Sequence, residues 1–255
     1  MEKAQHAPEL PWIEPGKPLP CATSAWNALS PAPGLLAASK HLTATRLHEA
    51  YSQGIFPWFS MGQPVLWWSP DPRMVLHASR FRFHRSLRQT LKRWLLHPDF
   101  ELSFDRAFGQ VIRRCSQAPR AGQKGTWIVP AMISAYEEFH RQGHAHSVEV
   151  WLDGELVAGL YFVALGHAVF GESMFTTLTD GSKMALATLV SVCLKHGLPT
   201  IDCQQNTPHL ASMGAQEMPR SDFVQLIQNE QIKPNISWAD QTLNWHALTA
   251  FNQTP

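Results

Sequence analysis

Apolar residues recur at helical spacing from Leu42 to Tyr51, with Thr43 placed to cap the start and Gly54 to close the end. Met74 to His77 reads as a short strand, Ser86 to Leu96 as a helix, and Phe100 to Phe104 alternates like a strand. Helical spacing returns over Asp105 to Cys115 and over Pro130 to Gln142, the second stretch ending at Gly143. Ala145 to Leu152, Glu155 to Leu165 and His167 to Phe175 are strand-like. Asp153-Gly154 and a turn at Gly166 join them, which predicts an antiparallel meander. A helix to His196, with Ser182 as its N-cap, a strand from Pro199 to Cys203 and a late helix from Ser221 to Ile227 follow. Mixed elements in this order predict an α+β fold: a small N-terminal domain over residues 1–72, then a larger one over 73–255 with a mixed, largely antiparallel sheet.

Two stretches have no period. The lead-in carries Pro8, Pro11, Pro15, Pro18, Pro20, Pro31 and Pro33 and reads as an irregular segment that packs only in part. From Tyr51 to Arg73, rings, prolines and glycines are crowded together, so turns must hold the rings in place. Such a shelf suits stacking on flat ligands, of which nucleic-acid bases are the commonest. The competing reading is that Trp58, Trp67 and Trp68 fill a core.

Composition narrows the class. With 44% hydrophobic and 16% charged residues over 255 positions, the chain is globular rather than disordered. It has no run of about eighteen apolar residues and no basic segment followed by an apolar one at its start, so a cytoplasmic protein without membrane spans or signal peptide is expected. Cys21, Cys115, Cys193 and Cys203 are scattered, so neither a disulfide framework nor a zinc site is expected. His144 and His146 share a strand face, but no third ligand stands near them in sequence, and no metal or other cofactor is assigned.

A net charge of +1 argues weakly for a nucleic-acid partner. Its distribution argues more strongly. No acidic residue occurs between Pro72 and Pro98, while Arg73, Arg80, Arg82, Arg85, Arg88, Lys92 and Arg93 all do. On a helix, Arg85, Arg88, Lys92 and Arg93 share one face, and Leu87, Leu91, Trp94 and Leu95 line another. A solvated helix face usually mixes signs, whereas this one suits a phosphate backbone.

Several ordered motifs then converge. Gly-Ile-Phe-Pro-Trp-Phe at Gly54 to Phe59 precedes Trp-Trp-Ser-Pro-Asp-Pro-Arg at Trp67 to Arg73. Gly-Thr-Trp-Ile begins at Gly125, Gly-His-Ala-His-Ser-Val-Glu-Val-Trp at Gly143, Gly-Glu-Ser-Met-Phe at Gly171, Ile-Asp-Cys-Gln at Ile201 and His-Leu-Ala-Ser-Met-Gly-Ala at His209. Over roughly Pro33 to Arg220 the chain strongly resembles the leucyl/phenylalanyl-tRNA-protein transferase family. It departs where the family commonly reads Gly-Gly-Asp-Leu and this chain has Ser39-Lys40-His41-Leu42. The resemblance implies a GNAT-like acyltransferase fold for the larger domain. It also implies transfer of Leu, Phe and Met from Leu-tRNA, Phe-tRNA and their like to proteins beginning with Arg or Lys, marking these for degradation. A monomer is expected.

The same resemblance implies a catalytic pair, Asp202 and Gln204. Two apart on a strand, they point to one face, where a carboxylate bonded to the glutamine NH2 would turn the amide oxygen toward the incoming ammonium. Cys203 between them faces away, and no His/Asp pattern supports it as a nucleophile. Glu172 in an otherwise apolar strand end suits the acceptor's cation, with a structural ion pair as the rival reading. Met174 and Ile201 would line the aminoacyl pocket, and Tyr51, Trp58 and Trp127 would embrace the tRNA 3′-terminal adenosine. Arg85, Arg88, Lys92 and Arg93 would meet the tRNA backbone. Two other classes compete: a coenzyme A-dependent N-acetyltransferase, although no Gln/Arg-x-x-Gly-x-Gly/Ala loop precedes the helix at Ser182, and a non-catalytic RNA-binding module.

Overall fold

In the computed structural model, residues 9–118 and 128–250 are described. The elements run β1 (Trp12–Ile13), β2 (Leu35–Ser39), α1 (Ala44–Tyr51), β3 (Phe56–Pro57), β4 (Val65–Trp68), β5 (Arg73–His77), α2 (Arg85–Trp94), β6 (Phe100–Phe104), α3 (Phe108–Gln117) and α4 (Pro130–Arg141). They continue with β7 (Ala145–Leu152), β8 (Glu155–Leu165), β9 (Ala168–Thr176), α5 (Gly181–His196), β10 (Thr200–Gln204), α6 (Pro208–Ser212), β11 (Gln216–Met218), α7 (Arg220–Glu230) and α8 (Trp245–Ala250).

The meander forms as expected, β7 to β8 to β9, and it is the middle of a seven-stranded sheet ordered β11-β5-β10-β9-β8-β7-β6. Every neighbouring pair in it is antiparallel except β9 with β10, so the sheet is mixed, as the α+β reading required. The aromatic stretch before it joins a second, four-stranded sheet ordered β1-β2-β4-β3, in which β3 and β4 pair as a hairpin. There Trp67 is fully buried and its indole N–H donates to Ser39 at 3.0 Å, so this ring is core.

Strand alternation explains why the large sheet carries apolar residues at successive positions. Along β8, Tyr161, Val163 and Leu165 enter one core, and Leu160, Phe162 and Ala164 enter a second on the opposite face. The first core is continuous from Leu36, Tyr51 and Trp67 to Tyr136, Phe170 and Phe223, and thus joins the small sheet to the large one. The second is covered by α2 and α5. Helix α5 is buried on most of its circumference from Met184 to Cys193, which accounts for its apolar character all round.

Three expectations need correction. Ser182 does not cap α5: Asp180 precedes the helix in a left-handed conformation (φ 61°), and its carboxylate accepts from Lys183 Nζ at 2.7 Å. Close approach sets this entry, because a Cβ on Gly181 would lie 2.6 Å from both Ala158 Cβ and Thr176 Oγ1. Helix α3 starts at Phe108 rather than Asp105, since Asp105 (φ 57°) turns the chain and its carboxylate accepts from the Ser147 N–H at 2.8 Å. Leu95 lies beyond the end of α2 and is exposed, so Leu87 and Leu91, with half-buried Trp94, carry the inward face of that helix. No helix among the described residues is long and apolar enough to cross a membrane.

Candidate active site

Strands β9 and β10 stay paired for only two rungs, Val169 with Ile201 and Phe170 with Asp202. Just past these, both strands are irregular. On β9 the register against β8 slips between the partners of Tyr161 and Phe162, leaving Glu172 without an opposite residue. On β10 the register against β5 slips between Asp202 and Gln204, skipping Cys203 and putting Gln204 at φ 62°. Bulges of this kind re-aim side chains. Here they turn Glu172 and Gln204 into the fork where the two strands part. A Cβ on Gly171 would come within 3.3 Å of the Asp202 carbonyl oxygen, so glycine lets the strands approach at the base of the fork.

A cavity of about 260 Å3 opens there. Leu160, Met174, Leu186, Leu189, Ile201 and Leu210 supply an apolar wall, while Glu172, Asp202, Gln204, Thr207 and His209 supply a polar one. The structure thus brings Glu172, Met174, Ile201, Asp202 and Gln204 together at one cavity. Cys203 also lines it, and burial raises its thiol pKa, as does the Asp202 carboxylate beside it.

The hydrogen bonding differs from the expected relay. Asp202 is buried and holds the fully buried Arg73 in a bidentate pair, accepting from Nε at 2.8 Å and Nη2 at 2.6 Å. It also accepts the backbone N–H of Gln204 at 2.9 Å, which anchors that residue's left-handed backbone. The carboxylate that receives the Gln204 NH2 is Glu172, at 2.9 Å. With its NH2 so engaged, Gln204 has its carbonyl oxygen left for a ligand's N–H. Arg73 itself lies between the rings of Phe56 and Phe223, 4.7 and 4.6 Å from their centroids, and donates through Nη1 to the Gly54 carbonyl at 3.1 Å.

Two tyrosines complete the environment of Glu172. The Tyr51 hydroxyl donates to Oε1 at 2.6 Å, the Tyr136 hydroxyl lies 3.2 Å from Oε2, and the two hydroxyls are 2.5 Å apart. Burial is the main cause that pushes the Glu172 pKa up to about 8. The Asp202 charge adds to the rise, while the two hydroxyls and Arg73 oppose it. Burial and the nearby Glu172 charge raise both tyrosines well above their ordinary value. His209 at the rim is lowered by burial and by Lys183.

Tyr51 therefore differs from its expected place against a nucleoside. It is fully buried, with Phe139 stacked at 6.3 Å and Phe170 tilted at 5.0 Å, so protein covers its ring. Trp58 is half-buried beside Trp68, with centroids 5.4 Å apart, and does not line the cavity. Trp127 lies outside the described residues. On α2, Arg85, Lys92 and Arg93 are exposed and Arg88 is half-buried, and none forms an ion pair among the described residues. His146 does not act with His144; it pairs with Asp105 at 2.7 Å, with His140 nearby. Three ring nitrogens of this cluster meet protein oxygens: His140 Nδ1 meets Ala145 O, and His146 Nδ1 and Nε2 meet Asp105 and Gly143 O.

Sequence reasoning placed Arg73 in the basic run and at the end of the Trp67 to Arg73 motif without giving it a role at the site, and it did not single out Tyr136. A residue-level signal existed for Arg73: a buried aspartate on a central strand requires a cation, and Arg73 opens a neighbouring strand. Tyr136 gave none, since its ring fits the apolar face of α4 like any core residue.

An apolar hollow ending in a carboxylate and an amide, set in a mixed α+β sheet, has the parts an acyltransferase requires: a seat for an acyl side chain beside acceptors for an amine. The sequence profile described as leucyl/phenylalanyl-tRNA protein transferase matches residues 75–228, and the profile of that family's N-terminal domain matches residues 40–71. The leucyl/phenylalanyl-tRNA–protein transferase of a Polaromonas species is 54% identical over 246 residues, covering 96% of each chain. Those of Albidiferax ferrireducens and Burkholderia cenocepacia are 52% and 51% identical, covering 94% and 96% of this chain and 95% and 96% of their own. The chain belongs to the leucyl/phenylalanyl-tRNA–protein transferase family. Among solved structures, a GCN5-related N-acetyltransferase from Kribbella flavida overlays with 68% of this chain and 60% of its own at TM-score 0.34 and 7% identity. L-PGS from Bacillus licheniformis overlays with 69% and 57% at TM-score 0.36 and 10% identity, and likeness at this level carries no weight for fold or function.

Proposed function

We propose that the protein moves Leu, Phe and Met from aminoacyl-tRNA to the α-amine of proteins beginning with Arg or Lys, marking them for degradation. The observation that carries this reading is the meeting of an apolar hollow with Glu172 and Gln204 at the fork between β9 and β10. The ester of a charged tRNA is already activated, so the enzyme needs to align donor and amine and to steady the developing charge rather than form a covalent intermediate.

In this reading Met174 and Ile201 receive the aminoacyl side chain. A wall of this kind discriminates by shape, at roughly 1 to 3 kcal/mol per methylene, which suits acceptance of several large apolar residues. Gln204 offers its carbonyl oxygen to the acceptor's N-terminus, and Glu172 serves the side-chain cation of the acceptor's first Arg or Lys. Asp202 acts through Gln204 as a positioning residue. Trp58 and Trp127 stack on the 3′-terminal adenosine, and Arg85, Arg88, Lys92 and Arg93 follow the backbone. We also propose that residues 1–72 and 73–255 form two domains, that the protein acts as a monomer and that its place is the cytoplasm.

Incubation with labelled Phe-tRNA and an Arg-starting protein tests the reading. Label should appear on the acceptor's N-terminus. Uptake of acetyl from acetyl-coenzyme A without phenylalanine transfer would favour an N-acetyltransferase instead, and tRNA binding without turnover would favour a binding module.

A further inference from the structure

We propose that Glu172 is a catalytic base: its carboxylate takes the proton that the acceptor's α-amine loses as it attacks the aminoacyl ester, rather than serving only as an anchor for the acceptor's side-chain cation. This rests on the aminoacyl-transfer reading above and assigns a chemical step within it.

The first support is elimination among the carboxylates at the fork. Asp202 lines the cavity, but both its oxygens are taken by the Arg73 guanidinium and one also by the Gln204 N–H. Such a pair cannot take up a proton without leaving a buried guanidinium uncompensated. Glu172 has no cation within ion-pairing distance among the described residues. It is the carboxylate at the cavity that can change charge.

The second support is a proton count. Glu172, Tyr51 and Tyr136 make three oxygen–oxygen contacts, of 2.6, 3.2 and 2.5 Å, and two hydroxyls supply two protons for them. When Glu172 takes up a proton, each contact has one of its own. The cluster is therefore arranged to hold the acid form as well as the anion. Gln204, whose NH2 meets the same carboxylate, presents its carbonyl to the amine and so brings the amine's second N–H beside Glu172.

The step balances. The neutral α-amine forms the new C–N bond at the ester carbonyl, and its nitrogen releases one proton to the Glu172 carboxylate. The C–O bond to the terminal ribose breaks, and the departing ribose oxygen takes that proton from Glu172, restoring the carboxylate. With a pKa of about 8, the carboxylate matches the basicity of a free α-amine at about 7.7 to 8.0, the condition under which general-base catalysis works well near neutral pH. The groups facing it are Tyr51 from α1, Tyr136 from α4, Asp202 and Gln204 from β10, and Arg73 from β5.

The test compares the parent with Glu172→Gln at saturating Phe-tRNA and acceptor across pH 6 to 9.5. Taking the ratio of the two kcat values cancels the titration of the amine. General-base assistance of about 100-fold or more is expected above pH 8.5. The ratio should fall roughly tenfold per pH unit below about 8 as Glu172 protonates, while the KM for acceptor changes only a few-fold. A ratio independent of pH, or a loss confined to acceptor KM with kcat intact, overturns the proposal in favour of a cation anchor. Puromycin, as an aminoacyl-adenosine mimic, should bind both proteins equally; if it does not, Glu172→Asp, which keeps a shortened carboxylate, must retain the pH-dependent ratio or the proposal fails. Absence of transfer by the parent itself would instead overturn the underlying functional reading.

Discussion

Replacing Asp202 with alanine should unfold the protein more easily as well as silence it. The substitution removes the carboxylate whose two oxygens accept from Arg73 Nε and Nη2, and it leaves a fully buried guanidinium with the Gly54 carbonyl and two aromatic faces. Breaking one side of a buried pair costs about 3–5 kcal/mol. For a chain of this size each kcal/mol moves the melting temperature by roughly 2–4 °C, so a drop of about 6–20 °C is expected. Urea unfolding followed by tryptophan fluorescence gives the free energy, and the labelled-phenylalanine assay gives transfer. The informative partner is the double variant Arg73→Met with Asp202→Leu. Replacing a buried ion pair by apolar residues is often neutral or stabilising, so most of the lost stability should return. Transfer should not return, because the Gln204 N–H still lacks the Asp202 oxygen that holds its left-handed backbone. If Asp202→Ala proves within about 1 kcal/mol of the parent, or if the double variant recovers transfer together with stability, then the positioning argument is wrong.

Arg85→Ala with Arg88→Ala should weaken tRNA binding and flatten the log–log salt dependence by about 0.7–0.9 for each phosphate no longer neutralised, as read by filter binding at several salt concentrations; an unchanged slope would exclude both residues from the phosphate path. Trp58→Ala should weaken binding of a tRNA acceptor-stem minihelix by about 1–3 kcal/mol if the ring stacks on a base, and an unaltered affinity would assign it to packing against Trp68. Glu172→Gln should be more stable than the parent at pH 8.5 but not at pH 4. A folded-state pKa of about 8 lies above the unfolded value, so the stability tied to this group is fully present below about 4.3 and lost as pH rises through about 8. The difference, on the order of 5 kcal/mol at most, should appear as a pH-dependent gap between two thermal melts, and parallel curves would contradict the raised pKa.

Elements with one strong period were legible in the sequence. Phe100–Phe104, Ala145–Leu152 and Glu155–Leu165 lie where alternation put them, and Thr43 caps α1 by accepting the Arg46 N–H at 3.2 Å. The α5 entry was not legible, because Gly181 is set by close contact with Ala158 and Thr176 across the β8–β9 hairpin that precedes it. At the site, Glu172, Met174, Ile201, Asp202 and Gln204 were all named from motif order and strand spacing, and they share one cavity. Their bonding was not foreseen. Strict alternation would place Asp202 and Gln204 on one face, but the slip at Cys203 turns the Gln204 amide to Glu172. Such a bulge leaves no mark in a pattern of apolar and polar letters. Tyr51 was misread for a related reason: the sequence shows an aromatic ring at a helix end, while only packing shows Phe139 and Phe170 over it.

The Gly54 carbonyl accepts from both the Ser69 hydroxyl, at 3.1 Å, and Arg73, at 3.1 Å. This single oxygen sits between the helix that carries Tyr51 and the hairpin that carries Trp58, and one further ion pair connects it to Gln204. Loosening of the tryptophan hairpin therefore travels by a short mechanical linkage into the reaction centre. A disturbance confined to the amino-terminal sheet would reach turnover by this route even with the large sheet intact.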